Sequence, residues 1–461
     1  MIRDIISDKT SLFGQGAHTE LRAQENTAVS VVINNGNTVT NQREVISGVS
    51  ARVLKNGVCG FASDAEYSES AVARVLRAAD ENASFLDRRI SKKKPLPSVS
   101  ERGEFSDRVD FSLAEQKRYV DFSRELDSYI SDKYPQLASR RVVVKCDSME
   151  KLLITSDAYN AHTTLPRSYV YLLFEVQTKD KGPVNLMKVL GGFGGFDDNF
   201  TTPDSLYEEI DAFYERVMQK REGVYAEAGL KTCILGGALT GMLAHEAVGH
   251  TVEADLVLGG SVAAHNLGRR VASELVNLAD FAHTAYGERT PLPVYVDDEG
   301  VLCQDTKIIE NGILTGYMNN LESAEHFNMR ATGNARAFSY SDEPLIRMRN
   351  TAVLAGDSKL EEMIESVKDG YYLTDTNNGQ ADTSGEFMFG VCMGYEIKNG
   401  RLGRPILDTT ISGVAFDMLK TVDMVGDKME WLSSGMCGKK QPMPVGLGGP
   451  AIRCKVTMGG K

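Results

Sequence analysis

Met242-Leu-Ala-His245-Glu246-Ala-Val-Gly249-His250 sets two histidines and a glutamate into an otherwise apolar run. A packed core does not choose those side chains without a use for them. A neutral imidazole offers a nitrogen lone pair to zinc, and a carboxylate beside the first such ligand can take a proton from water, as in the His-Glu-x-x-His peptidases. Here the spacing is His-Glu-x-x-x-His. In a regular α-helix a step of four residues returns to within about 40° of the start, whereas a step of five overshoots to about 140°. His245 and His250 therefore share an ion only if the helix carries a π-bulge or loosens, and the permissive Gly249, directly before the second histidine, is where that is expected. The alternative for this stretch alone is a buried helix with two satisfied polar residues.

Outward from this motif, an apolar strand at 231–235 and a Gly236-Gly237 turn lead in, with Thr240 as a candidate helix cap. Glu253 and Asp255 follow; either can be a ligand, a carboxylate fixing a histidine's tautomer, or part of a solvated acidic face. Strand patterns at 294–296, 307–310 and 313–318, with hairpin signals at Asn311-Gly312 and Asn399-Gly400, make the C-terminal half largely antiparallel β. His265, His283 and His326 are spare imidazoles, structural unless they touch substrate or metal; His18 and His162 have less claim still.

Upstream, residues 20–63 alternate polar and apolar around Asn35-Gly36 and Asn56-Gly57, the pattern of an antiparallel meander. Ser68 caps a predicted helix to residue 86. A linker over 91–111 holds Lys92-Lys93-Lys94, Pro95 and Pro97, read as solvated chain. Ser112-Leu-Ala-Glu115 reads as a capping box opening a helix to residue 134. Strands at 141–145 and 169–177, a connector at Gly191-Gly-Phe-Gly-Gly195 and a helix over 203–220 complete this half.

The 461 residues carry a net charge of -12, with 42% hydrophobic and 25% charged side chains. Those are the proportions of a folded globular chain of two or three domains, without the basic face that nucleic acid requires. The charged N-terminus lacks an apolar signal segment and no run is long enough to span a bilayer, so the expectation is a cytoplasmic protein. Seven scattered cysteines without a Cys-x-x-Cys pair read as reduced thiols.

Several stretches together resemble the TldD/PmbA family of bacterial and archaeal metallopeptidases, once described as gyrase modulators. They are Gly48-Val-Ser-Ala-Arg-Val-Leu54 with Gly57-Val-Cys-Gly-Phe-Ala62, the His245 to His250 motif, Gly379-Gln-Ala-Asp-Thr-Ser-Gly385, Met424-Val-Gly426, Cys437-Gly-Lys439 and Pro444-Val-Gly446. The family holds subunits that bear the histidine motif and subunits that have lost it; this chain is similar to the first kind. The resemblance implies that Cys437 is the third ligand beside His245 and His250, and that Cys454, in a different block, is not. It departs from the family after Lys439, where the segment is one residue shorter and lacks the usual glycine.

The resemblance further implies an α+β fold: an N-terminal antiparallel sheet with helices, then a β-rich C-terminal domain carrying a metal-binding helix. We divide the chain into 1–100, 101–228 and 229–461. The expected activity is zinc-dependent hydrolysis of unfolded or small peptides, with Glu246 as general base, in a homodimer or a heterodimer with a motif-less paralogue, without nucleic acid or membrane as partner. The alternative is a non-catalytic binding or regulatory protein in which zinc braces the fold, through four protein ligands rather than three.

Overall fold

The computed structural model describes residues 5–6, 9–90, 103–109, 111–156 and 159–460. The N-terminal half is built on one seven-stranded sheet in the order β3-β2-β1-β5-β6-β4, with β7 also on β6. Its strands are β1 (His18–Asn34), β2 (Asn37–Lys55), β3 (Val58–Asp64), β4 (Gly103–Asp107), β5 (Ser139–Thr155), β6 (Tyr159–Gln177) and β7 (Pro183–Phe193). The β1–β2 and β2–β3 turns put Asn35 and Asn56 at φ 48° and 50°, followed by Gly36 and Gly57 at 82° and 87°. Two successive left-handed residues match the twist of the flanking strands, which is why Asn-Gly is a hairpin signal.

Helix α1 (Glu69–Asp87) begins where the Ser68 side chain accepts the Ala71 N–H. Its Val72, Val75 and Leu76 pack on Leu21, Val49 and Val53 of the sheet, a burial that stabilises by about 1.5–3 kcal/mol for each large apolar side chain. A second core gathers under α2 (Gln116–Lys133) and α3 (Tyr207–Arg221).

Two expectations are corrected here. The stretch predicted as linker contains β4, which pairs parallel to 159–163 of β6, because β7 covers only 167–177 of that long strand and leaves its first residues with an open edge. The Lys92–Lys94 run lies outside the described residues. Ser112-Leu-Ala-Glu115 is not a capping box: α2 starts one residue after it with no side-chain cap, and the Ala114 N–H instead donates to Tyr119 Oη at 2.9 Å.

The C-terminal half is α+β with β dominant. One sheet runs Asp369–Ala381, β8 (Gly229–Leu235), Ile452–Met458, Thr409–Val414, Glu386–Lys398, Arg401–Ile406, and a further pairing of Asp369–Ala381 with Glu386–Lys398 closes five of these strands into a barrel. A six-stranded sheet lies beside it and ends in Asn350–Val353, Met443–Gly449 and, at its edge, Glu430–Cys437. The two halves meet through buried charge: Arg52 bridges Glu20 at 2.8 Å and Glu299 at 3.0 Å, and Lys151 reaches Asp298 at 2.6 Å. No helix of the described residues is long and apolar enough to cross a membrane.

Candidate metal centre

From β8 the chain turns at Gly236, which caps the helix Gly237–Met242. Thr240 therefore does not cap it, contrary to expectation; it sits inside the first turn, and its hydroxyl donates to Leu235 O at 3.2 Å. The helix then widens into a π-turn over Leu243–Gly249, closed by the His250 N–H donating to His245 O. One π-turn is an i to i+5 step. The five-residue spacing that would splay two side chains on an α-helix thus brings the His245 and His250 rings together, with centroids 5.1 Å apart.

Gly249 lies in this turn with φ -53° and ψ -52°, ordinary right-handed values. Its role is space rather than backbone freedom. A Cβ at this position would stand 2.2 Å from Met348 Sδ and 3.1 Å from Ala244 O.

Cys437 arrives from the opposite side as the last residue of the edge strand Glu430–Cys437, and its Sγ is 3.5 Å from His250 Nε2. His245, His250 and Cys437 form the one group of possible metal ligands among the described residues, with their ligand atoms all within 4.8 Å of one another. After the strand the chain bends at Lys440, whose φ of 55° is the left-handed conformation that glycine adopts most easily; this is the segment that lacks the family's usual glycine. Cys454 is not in this group; on Ile452–Met458 it stands beside Cys233 of the neighbouring strand β8 and is buried. Burial pushes the Cys454 thiol well above its usual range.

The three residues are electrostatically coupled to one another. Burial alone would raise the Cys437 thiol, but the hydrogen bonds and charge of His245 and His250 override it and bring it down to about 3. Burial likewise works against a charged His250, yet Cys437 and Glu253 hold that imidazole up at about 10. A divalent ion is bound by a deprotonated thiolate and by neutral imidazoles, so it favours the same ionised form of Cys437. His245 Nδ1 is buried without a hydrogen-bond partner among the described residues. Two imidazoles and a thiolate fit zinc by donor chemistry.

Glu246 reaches within 3.7 Å of His250 Nε2 through Oε2 and remains about a quarter exposed. Of the two downstream carboxylates, Glu253 is fully buried and accepts from His250 Nδ1 at 2.7 Å, whereas Asp255 pairs with Lys439. His283 stacks on Tyr295, His326 packs on Phe327, and His265 ends a short 3-10 turn, so none joins the group. His18 lies 3.2 Å from Glu20 and His162 2.7 Å from Glu150.

One residue escaped the sequence reading. Arg347, fully buried, donates to Cys437 O at 2.8 Å, Lys439 O at 3.1 Å and Gln441 O at 2.7 Å, and so holds the loop that follows the thiol. Its signal is present in Leu345-Ile-Arg-Met-Arg-Asn350, where charged residues alternate with apolar ones in a buried segment that joins the strands Leu345–Ile346 and Asn350–Val353.

Comparison with known proteins decides the family. Residues 229–460 match the model of the PmbA/TldA metallopeptidase C-terminal domain, and residues 19–83 match PmbA/TldA metallopeptidase domain 1. The chain belongs to the TldD/PmbA family of metallopeptidases. A metalloprotease TldD homolog of Buchnera aphidicola is 31% identical over 90% of this chain and 86% of its own length. The zinc metalloprotease TldD homolog of Saccharolobus solfataricus is 30% identical over 92% and 93%. The crystal structure of TldE from Thermococcus kodakarensis superposes with a TM-score of 0.75 over 98% of this chain and 100% of that one, at 15% identity, and shares the fold. Within the family this chain is a metalloprotease.

Proposed function

We propose that the protein is a zinc peptidase in which His245, His250 and Cys437 hold the ion and Glu246 is the general base. The observation that carries the reading is the convergence of three ligand atoms within 4.8 Å beside a partly exposed carboxylate. When bound, the ion supplies Lewis-acid stabilisation of charge on the scissile carbonyl and a more acidic water. Glu246 takes the proton of the attacking water and later delivers it to the leaving amine. Glu253 holds His250 by accepting from Nδ1, which leaves Nε2 free on the side of Cys437. Three clustered protein donors, rather than four, support a catalytic role over a bracing one.

The substrates are unfolded or small peptides, bound extended. Support comes from the strand Glu430–Cys437, which is the last of its sheet and ends at the site; Tyr169 and Arg347 already donate to its Ser433 and Cys437 carbonyls, so an added strand would pair with the backbone between them. The working unit is a dimer, with itself or with a motif-less paralogue, and the chain divides at 100 and 228. The test is zinc analysis together with cleavage of an unstructured peptide by the wild type and by Glu246→Gln. The reading requires metal in both and hydrolysis in the wild type; a metal-free wild type, or an equally active variant, would refute it.

A further inference from the structure

The two segments that carry the ligands, the π-turn and the Cys437 loop, come from different parts of the chain, and a single ammonium lies between them. Lys439 is two residues beyond Cys437. Its Nζ donates to Asp255 Oδ1 at 2.8 Å and to Ile346 O at 3.0 Å, and lies 3.3 Å from Glu253 Oε2. Two of its N–H donors are thus taken, and the charge faces Glu253 as an ion pair. Glu253 Oε2 is the same oxygen that accepts from His250 Nδ1 at 2.7 Å.

We propose that Lys439 is a positioning residue of the metal site, a tether that locks the Cys437 loop to the His250 segment through Glu253. The inference rests on the ligand set proposed above.

Glu253 is three residues beyond His250 and its side chain is wholly shielded from solvent. A buried carboxylate is tolerated only when paired and hydrogen-bonded, and losing one partner leaves an uncompensated charge. Its Oε1 has no hydrogen-bond partner among the described residues, so its satisfaction rests on Oε2, where His250 and Lys439 meet. Lys439 thus does two things at once. Its charge keeps the acceptor of His250 Nδ1 in place, which keeps Nε2 facing Cys437 Sγ at 3.5 Å. Its backbone carries the loop: Arg347 grips the carbonyls of Cys437, Lys439 and Gln441, while the Lys439 side chain pulls the same loop toward Asp255 and Glu253. With Arg347 alone the loop would be fixed to its own sheet but not to the helix bearing the histidines.

The test is zinc affinity, measured by competition with a chromophoric chelator on the full chain, for the wild type, Lys439→Met, Lys439→Arg and Cys437→Ser. The cobalt(II) absorption spectrum of each reports how the thiolate and the imidazoles are arranged. Partners of metal ligands are typically worth 10–100-fold in metal affinity. We therefore expect Lys439→Met to bind about 10–100-fold more weakly with an altered cobalt spectrum, and Lys439→Arg, which restores the charge, to recover most of the loss. Wild-type affinity and an unchanged cobalt spectrum in Lys439→Met would overturn the tether. If Cys437→Ser binds as tightly as wild type, the ligand set itself is wrong; if it loses the ion while Lys439→Met does not, only the tether fails. Thermal melts of the metal-free proteins separate misfolding from lost affinity. Should Lys439→Met not fold, Glu253→Gln answers instead, since it removes the charge that joins the two segments; wild-type affinity there also overturns the proposal.

Discussion

Gly249→Ala adds one methyl group to the turn that sets the distance between the two histidines. The new Cβ would lie 2.2 Å from Met348 Sδ and 3.1 Å from Ala244 O. Carbon and sulfur atoms settle at about 3.5–4.0 Å, so the turn or the methionine must give by about 1.5 Å. Met348 is fully buried, and overpacking of this kind costs about 1–3 kcal/mol. Replacing a helical glycine returns about 0.5–1 kcal/mol. Global stability should therefore fall by only about 0–2.5 kcal/mol. The site should suffer far more, because ligand distances are set to about 0.2 Å and the displacement is several times that. We expect zinc affinity, read by chelator competition, to fall at least about 10-fold. Met348→Val removes the clashing sulfur, so the double variant should recover affinity, with a favourable coupling of about 0.5–3 kcal/mol. Wild-type zinc affinity in Gly249→Ala would refute the reasoning that space at this glycine holds the π-turn.

Glu246→Gln should keep its metal and lose about 10²-fold or more in peptide hydrolysis, as measured on an unstructured peptide. Arg347→Met leaves the carbonyls of Cys437, Lys439 and Gln441 without their buried donor; we expect about 3 kcal/mol or more off the urea stability, and weaker metal binding. Stripping the ion with a chelator should lower stability by about 4 kcal/mol relative to protein held at a thousand times its dissociation constant in free metal, visible as a lower melting temperature. Unfolded or short peptides should be cut while stably folded proteins resist, and rapid cleavage of a native globular protein would contradict an extended, edge-bound substrate.

The fold class was legible because its signals are local. Asn35-Gly36, Asn56-Gly57, Asn311-Gly312 and Asn399-Gly400 all take left-handed conformations at their turns, and Ser68 caps its helix as its position implied. Strand length was less legible. The expected strand at 141–145 extends to Thr155, paired on both sides; Asp147, Ser148, Glu150 and Lys151 break the apolar alternation that would reveal it, and Lys151 pairs with Asp298 of the other half. Polar residues satisfied across an interface look like loop when only the neighbouring sequence is visible. Gly103–Asp107 was missed for a related reason: its strand character depends on an open edge of β6.

At the site, the five-residue histidine spacing calls for a π-bulge or a loosened helix, and the structure has the π-turn. Gly249 was singled out for conformational freedom, whereas what the turn needs from it is the room beside Met348. No pattern in the sequence could locate that methionine, nor show that Arg347 grips the loop after Cys437. Choosing Cys437 among seven thiols came from the resemblance; sequence periodicity supports only the ordinary strand position of Cys454, which lies on Ile452–Met458 facing Cys233.

The central claim, that the ion is held by a thiolate from the edge strand together with the two histidines of the π-turn, is tested most directly by measuring bound zinc in purified Cys437→Ser and Cys454→Ser. The account predicts that the first is purified without zinc and the second with one equivalent per chain. A zinc-replete Cys437→Ser protein, or a zinc-free Cys454→Ser protein, would contradict it.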